Sequence, residues 1–246
     1  MAVSSNTVIH FTQSKDSLKG ILREGFKVFY CREEVFFENS KGPMAYAVPM
    51  VSFCDIPLSE VKNHISKYGG YGIGLTKEWA NEKGLNPVLY VAHGSHIANS
   101  YWRAYSDHVL GPEPGDAVKK KPVADVLRYI KNYSGQLSRG GTFDKDYRFY
   151  DEREWRYVVP HSEDVPMFVL DQAYRTDEQK ETENQKLESF RLEFTPNDIK
   201  YLIIQSDAEI PEFIETMRSA SGKFPLLDVE RLMTRLITTE QITNDF

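Results

Sequence analysis

Only two of the 246 residues are cysteines, Cys31 and Cys54. That leaves no disulfide framework and points to a reducing compartment. Long apolar runs are missing as well. Val88–Ala92 and Tyr201–Ile204 are far shorter than the roughly 20 residues that span a bilayer. The opening MAVSSNTVIHF has no basic stretch leading into an apolar core, so no signal peptide is expected and the expected location is cytoplasmic. Nor is there an excess of positive charge. Thirty Lys and Arg against 36 Asp and Glu give a net charge of −6, which argues against a chain that coats nucleic acid non-specifically. The glycine-rich run Gly69-Gly70-Tyr71-Gly72-Ile73-Gly74 fits neither the dinucleotide fingerprint nor a P-loop, and reads as a turn plus strand. His93-Gly94-Ser95-His96 has no cysteine or acidic pair at metal spacing beside it, so no metal site is expected.

What remains is an ordinary globular composition, 41% hydrophobic and 27% charged, sized for a single domain over residues 1–246. Thr7–Thr12 reads as a strand. Leu18, Ile21, Leu22 and Phe26 then mark one face of a helix that Gly25 stops. Lys27–Cys31 and Pro49–Asp55 read as strands, with a loop over Arg32–Tyr46 between them. Leu58, Val61, Ile65 and Tyr68 give an apolar face to a helix that Pro57 opens and Gly69 ends. Further strands are predicted at Tyr71–Leu75, Val88–Ala92, Trp155–Val159, Ser189–Phe194 and Tyr201–Gln205, and a last one near Leu232–Ile237. Helices are predicted at His96–Leu110 and Pro122–Tyr133, and a loop over Gly135–Tyr150. Ser206 and Glu209 have capping-box spacing before a helix carrying Ile210, Phe213, Ile214 and Met217. The stretch 173–188 lacks a core face and is expected to be a polar, exposed insert. Strands and helices alternate irregularly, which predicts an α+β fold with mainly antiparallel sheet and flanking helices.

Three of these strands carry polar groups at alternate positions, and alternate residues of a strand share a face. His10 and Thr12 share one, Ser52 and Cys54 another, Glu154 and Arg156 a third. Convergence of those faces would build a cleft with an imidazole, hydroxyls, a carboxylate and a guanidinium, a set able to act on a polar substrate. Cys54 itself sits in an apolar strand and reads as an inert thiol. Charge is uneven. From Lys119 to Arg148 eight basic residues accompany three acids, a local 8 − 3 = +5. A solvated surface is the expected reading of that block, and an anionic acceptor such as nucleic acid the alternative.

Several runs carry a resemblance. They are Met50-Val51-Ser52-Phe53-Cys54-Asp55-Ile56-Pro57-Leu58-Ser59, Tyr68-Gly69-x-Tyr71-Gly72-Ile73-Gly74-Leu75-x-Lys77-Glu78-Trp79 and Asn86-Pro87-Val88-Leu89-Tyr90. Together with His10-Phe11-Thr12, Leu18-x-x-Ile21-Leu22-x-x-Gly25-Phe26 and Glu152-Arg153-Glu154-Trp155-Arg156, they resemble the abortive phage-infection family AbiGi. That resemblance implies bacterial anti-phage defence, within a two-gene toxin–antitoxin system whose partner is a toxin. The order of a His strand, a hydroxyl-bearing strand and a Glu-x-Glu before a later strand is also similar to the ADP-ribosyltransferase fold, including DarT-type toxins. This second resemblance implies NAD as substrate. His10, Phe11, Thr12 and Ser52 would bind NAD, Tyr71 (or else Tyr68) would stack on nicotinamide, and Glu154 would be the catalytic carboxylate. Glu152 would face the acceptor, a nucleic acid or a protein. The alternative is a non-catalytic antitoxin that keeps the fold and binds its partner toxin. Ser52-Phe53-Cys54 is a partial version of the transferase Ser-Thr-Ser strand, and the Glu-x-Glu spacing recurs at Glu181-Thr182-Glu183.

Overall fold

The computed structural model describes residues 5–37, 42–110, 117–139, 142–162, 165–219 and 224–245, without the side chains of 117–121, 139 and 142. Nine strands among them form one sheet: β1 (Thr7–Thr12), β2 (Phe29–Val35), β3 (Met44–Cys54), β4 (Tyr71–Thr76), β5 (Asn86–Pro87), β6 (Glu154–Val158), β7 (Val169–Leu170), β8 (Ile199–Ile204) and β9 (Leu236–Thr238). The order is β9-β8-β4-β1-β3-β6-β5, with β2 and β7 also paired to β3. Only β8 and β9 run parallel in this sheet. The architecture is therefore α+β with mainly antiparallel pairing, as the irregular alternation predicts.

Nine helices flank the sheet among the described residues: α1 (Lys15–Glu24), α2 (Lys62–Tyr68), α3 (Lys77–Glu82), α4 (His96–Tyr105), α5 (Ala117–Leu127), α6 (Asp177–Gln185), α7 (Ile210–Ser219), α8 (Leu226–Met233) and α9 (Thr239–Asp245). Local chemistry explains their limits. The Ser14 side chain caps α1 by accepting from the Ser17 N–H at 3.1 Å. Gly25, at φ +83°, ends it with its own N–H on the Ile21 carbonyl. Leu18 and Leu22 of α1 pack with Phe213 and Met217 of α7, Val229 and Leu232 of α8, and Trp79 of α3 in the main core. A second cluster lies under α4 and α5, and a third joins Ile9, Cys54, Ile56, Val61, Ile203 and Ile242.

Several expected boundaries move. Of the predicted loop over Arg32–Tyr46, Arg32–Val35 and Met44–Tyr46 belong to the paired strands β2 and β3, with Phe29 opposite Met50 and Val35 opposite Met44. Charged Arg32, Glu33 and Glu34 hide that strand from a hydrophobic pattern, and only Tyr30 and Val35 of β2 are buried. The predicted helix over Pro122–Tyr133 ends at Leu127. Ile130–Asn132 instead pairs in parallel with Leu89–Val91. The predicted loop over Gly135–Tyr150 contains a hairpin of Gly135–Arg139 and Thr142–Tyr147. The Ser206 capping box does not form. A 3₁₀ turn intervenes at Asp207–Glu209, and the Glu209 carboxylate accepts from the Gln205 N–H and the Tyr71 hydroxyl. Helix α6 has no buried residue, but it is tied down: Asn184 accepts from the Tyr30 N–H at 2.8 Å and donates to the Tyr174 hydroxyl at 3.0 Å.

Pairing along β3 creates an opening. Met50 pairs with both Phe29 of β2 and Val158 of β6, so β2 and β6 lie on opposite edges of β3. Cys54 pairs with both Ile9 of β1 and Glu154 of β6, so β1 shares the β2 edge. Between those two contacts, the β3 edge at Val51–Phe53 faces neither strand in register. A cavity of about 840 Å³ sits at this split.

Candidate functional site

The cavity is lined by β1 from Ile9 to Thr12, β3 from Met50 to Cys54, Asp16, Ser17, Gly20 and Ile21 of α1, and His64 and Tyr68 of α2. Lys131, Glu152 and Glu154 also line it. Its volume lies within the range of small-molecule and cofactor sites.

Glu154 forms the floor and is 5% exposed. Its Oε1 accepts from the Ser52 hydroxyl at 2.7 Å and from Arg156 Nε at 2.6 Å. Its Oε2 accepts from Lys131 Nζ at 2.7 Å and from Arg156 Nη2 at 3.2 Å. The Glu154 N–H donates to the Tyr90 hydroxyl at 2.8 Å. Burial alone would raise the Glu154 pKa. The adjacent charges of Arg156 and Lys131, with their hydrogen bonds, outweigh it and hold the carboxyl well below the usual carboxylate range. Arg156, fully buried, also pairs with Glu33 at 2.9 Å and donates to the Arg128 carbonyl at 2.8 Å. Glu152 accepts from Lys131 at 2.9 Å and from the Tyr68 hydroxyl. Three carboxylates (Glu33, Glu152, Glu154) thus meet two cations (Lys131, Arg156), and 2 − 3 leaves the cluster at −1.

Arg153 joins the two site carboxylates with a backbone φ of +45° and ψ of 52°, the left-handed region that non-glycine residues seldom occupy. The bend follows the 3₁₀ turn Phe149–Glu152 and opens β6. It allows Glu152, before the strand, and Glu154, its first residue, to converge on one ammonium.

His10 spans the split between β1 and β3. Its Nδ1 lies 2.8 Å from the Ser52 carbonyl. A carbonyl only accepts, so Nδ1 carries the proton in this bond and Nε2 is the ring's acceptor. Phe26 and Phe53 flank the imidazole at 5.2 and 5.6 Å between ring centres. Burial lowers its pKa from the ordinary 6.5, outweighing the opposing effect of the Ser52 bond.

His10, Phe11, Thr12, Ser52, Glu152 and Glu154, the residues singled out from sequence, therefore line one cavity. Tyr71 does not. It stands on β4, its ring beside Phe213 and its hydroxyl on Gln205 and Glu209, in the core under α7. Tyr68, the alternative aromatic, lines the cavity instead, stacked on His64 at 4.2 Å. Burial pushes the Cys54 thiol up, away from nucleophilic character. In the basic block, Arg128 is buried against Asp125 and Lys131 is drawn into the carboxylate cluster. Arg148 pairs with Asp151. The side chains of Lys119, Lys120 and Lys121 lie outside the described residues. The +5 of that segment therefore overstates the charge it offers a partner.

Sequence reasoning missed Lys131, Glu33 and Tyr90. Lys131 falls at the end of a predicted helix, and Glu33 in a predicted loop. The signal for Lys131 is Ile130-Lys131-Asn132 itself, a short alternation just after a helix.

No solved structure matches the chain. A family model with the description "Putative abortive phage resistance protein AbiGi, antitoxin" matches residues 24–205. The chain is also similar to the abortive phage resistance protein AbiGi of Lactococcus lactis subsp. cremoris. The two are 26% identical over 226 residues, covering 81% of this chain and 89% of that relative. No helix among the described residues is long and apolar enough to cross a membrane.

Proposed function

Because the chain belongs to the AbiGi family of abortive phage resistance proteins, we propose that it acts in anti-phage defence by transferring ADP-ribose from NAD to a macromolecule, through an ADP-ribosyltransferase-like site. One observation carries this reading: His10, Thr12, Ser52, Glu152 and Glu154, from three separate parts of the chain, share a single cavity of dinucleotide scale. In the proposed reaction, NAD lies along β1, with a ribose hydroxyl donating to His10 Nε2. The bond between the ribose C1′ and the nicotinamide nitrogen breaks, and its electron pair leaves with neutral nicotinamide. Positive charge then develops on the sugar, and the ionised Glu154 carboxylate stabilises it. A lone pair of the acceptor forms the new bond at C1′, and Glu152 receives the proton the acceptor gives up. Holding these groups rigidly favours the reaction, because it depends on a maintained geometry. Purified protein mixed with NAD is expected to release nicotinamide, and Glu154→Gln to reduce that release by at least about 100-fold. Equal release by the variant and the wild type would remove Glu154 from this role.

A second reading has its own support. Both Glu154 oxygens already hold cations or a hydroxyl, which spends part of the negative charge the transition state needs. The family description also names an antitoxin. In this reading the cavity binds without turnover and the chain restrains a partner toxin. Calorimetry with NAD and with the product of the neighbouring gene separates the two. Tight binding of that protein without NAD binding favours the antitoxin.

A further inference from the structure

Two nearly buried carboxylates in one site repel each other, and without a counterion one of them takes a proton. Here the counterion comes from outside the main sheet. Ile130–Asn132 pairs in parallel with Leu89–Val91, and that register sets Tyr90 beside Lys131. Tyr90 holds the Glu154 backbone by its N–H, while Lys131 holds the Glu154 carboxylate. The same ammonium donates to Glu152, and it lies 5.0 Å from the Phe149 ring centre. Its side chain is 14% exposed.

The geometry points to Lys131 as the positioning residue of the carboxylate pair: by donating to both Glu152 and Glu154 it offsets their mutual repulsion and fixes the oxygens they turn toward the cavity. Lys131 acts through the two acids. Its part in turnover rests on the NAD reading above. Glu33 reaches the cluster from β2, Arg156 from β6, Tyr68 from α2 and Tyr147 from the hairpin. Arg156 holds both Glu154 oxygens, and Lys67 of α2 stands over the Tyr147 ring, 3.9 Å from its centre. Loss of Lys131 takes from the two acids the ammonium they share.

The test uses Lys131→Met, Lys131→Arg and the charge-balanced pair Lys131→Met with Glu152→Gln, each checked for folding by circular dichroism. A carboxyl-carbon NMR titration reads the pair without NAD. Lys131→Met is expected to show one glutamate protonating at a pH where the wild type and Lys131→Arg show none, and the double variant to lose that titration. An unchanged titration in Lys131→Met overturns the proposal whatever NAD does. If Lys131→Met fails to fold, the double variant carries the test through turnover, compared with Glu152→Gln alone. With NAD, Lys131→Met is expected to lose kcat on the order of 100-fold, and the double variant to fall below Glu152→Gln. KM is expected to change little, and Lys131→Arg to recover part of the loss. A folded double variant with the kcat of Glu152→Gln also overturns the positioning role. If the wild type releases no nicotinamide while the titration behaves as expected, the NAD reading falls and the positioning of the carboxylates stands.

Discussion

The site is built from side chains that neutralise one another. Arg156 is fully buried and joins Glu154 and Glu33, so removing it takes a buried guanidinium from two carboxylates at once. Arg156→Met is expected to cost about 3–5 kcal/mol in urea unfolding. A loss below about 1 kcal/mol would mean that water or rearrangement replaces the guanidinium. His10 is a further titratable group of the site. Its folded pKa lies below the ordinary 6.5, so the unfolded chain takes up the proton first as pH falls. The stability linked to neutral His10 is therefore complete above 6.5, and is lost as pH falls from there toward the folded value. Unfolding midpoints of the wild type across that window should decline more steeply than those of His10→Gln. Parallel profiles would place the titration elsewhere.

At the scale of elements, the cavity exists because β1 and β2 share one edge of β3 and leave part of it unpaired. The turn from α2 into β4 fixes the end of β1. Gly69, at φ +115°, brings its backbone against Thr12, and an added Cβ would lie 2.3 Å from the Thr12 carbonyl oxygen. Neither the conformation nor the space suits a side chain. Gly69→Ala is expected to destabilise by at least about 1–3 kcal/mol and to weaken any ligand that contacts Thr12. Unfolding and ligand titration check both, and a variant as stable as the wild type would mean the turn can rebuild. Much of this layer was legible in sequence. The α1 stop at Gly25, the β1 and β4 strands and the face of α2 follow from turn chemistry and hydrophobic spacing. The continuation of β2 through Arg32–Val35 and the 135–147 hairpin were not, because their charged and small residues break the hydrophobic pattern and the pairing partner supplies the order.

For the whole molecule, a ligand of the cavity touches β1, β3, α1 and α2 together, so binding couples to global unfolding. NAD at about 100 times its dissociation constant is expected to add about 2.7 kcal/mol, raising the melting temperature on the order of 5–10 °C. Glu154→Gln should alter that shift more than a substitution at the exposed Lys145 does. Absence of any shift with NAD, alongside one with the neighbouring gene product, would move the function to the antitoxin reading.

The amino-acid sequence by itself determined the fold class, the strand positions of His10, Ser52 and Glu154, and the membership of the family, because pattern, turn residues and motif order are local properties of the chain. Only the tertiary structure decided which groups neutralise Glu154, that Tyr68 rather than Tyr71 borders the cavity, and that Lys131 lies between the two acids. Those outcomes depend on strand register and on a left-handed residue at Arg153, which set distances between segments tens to more than a hundred residues apart.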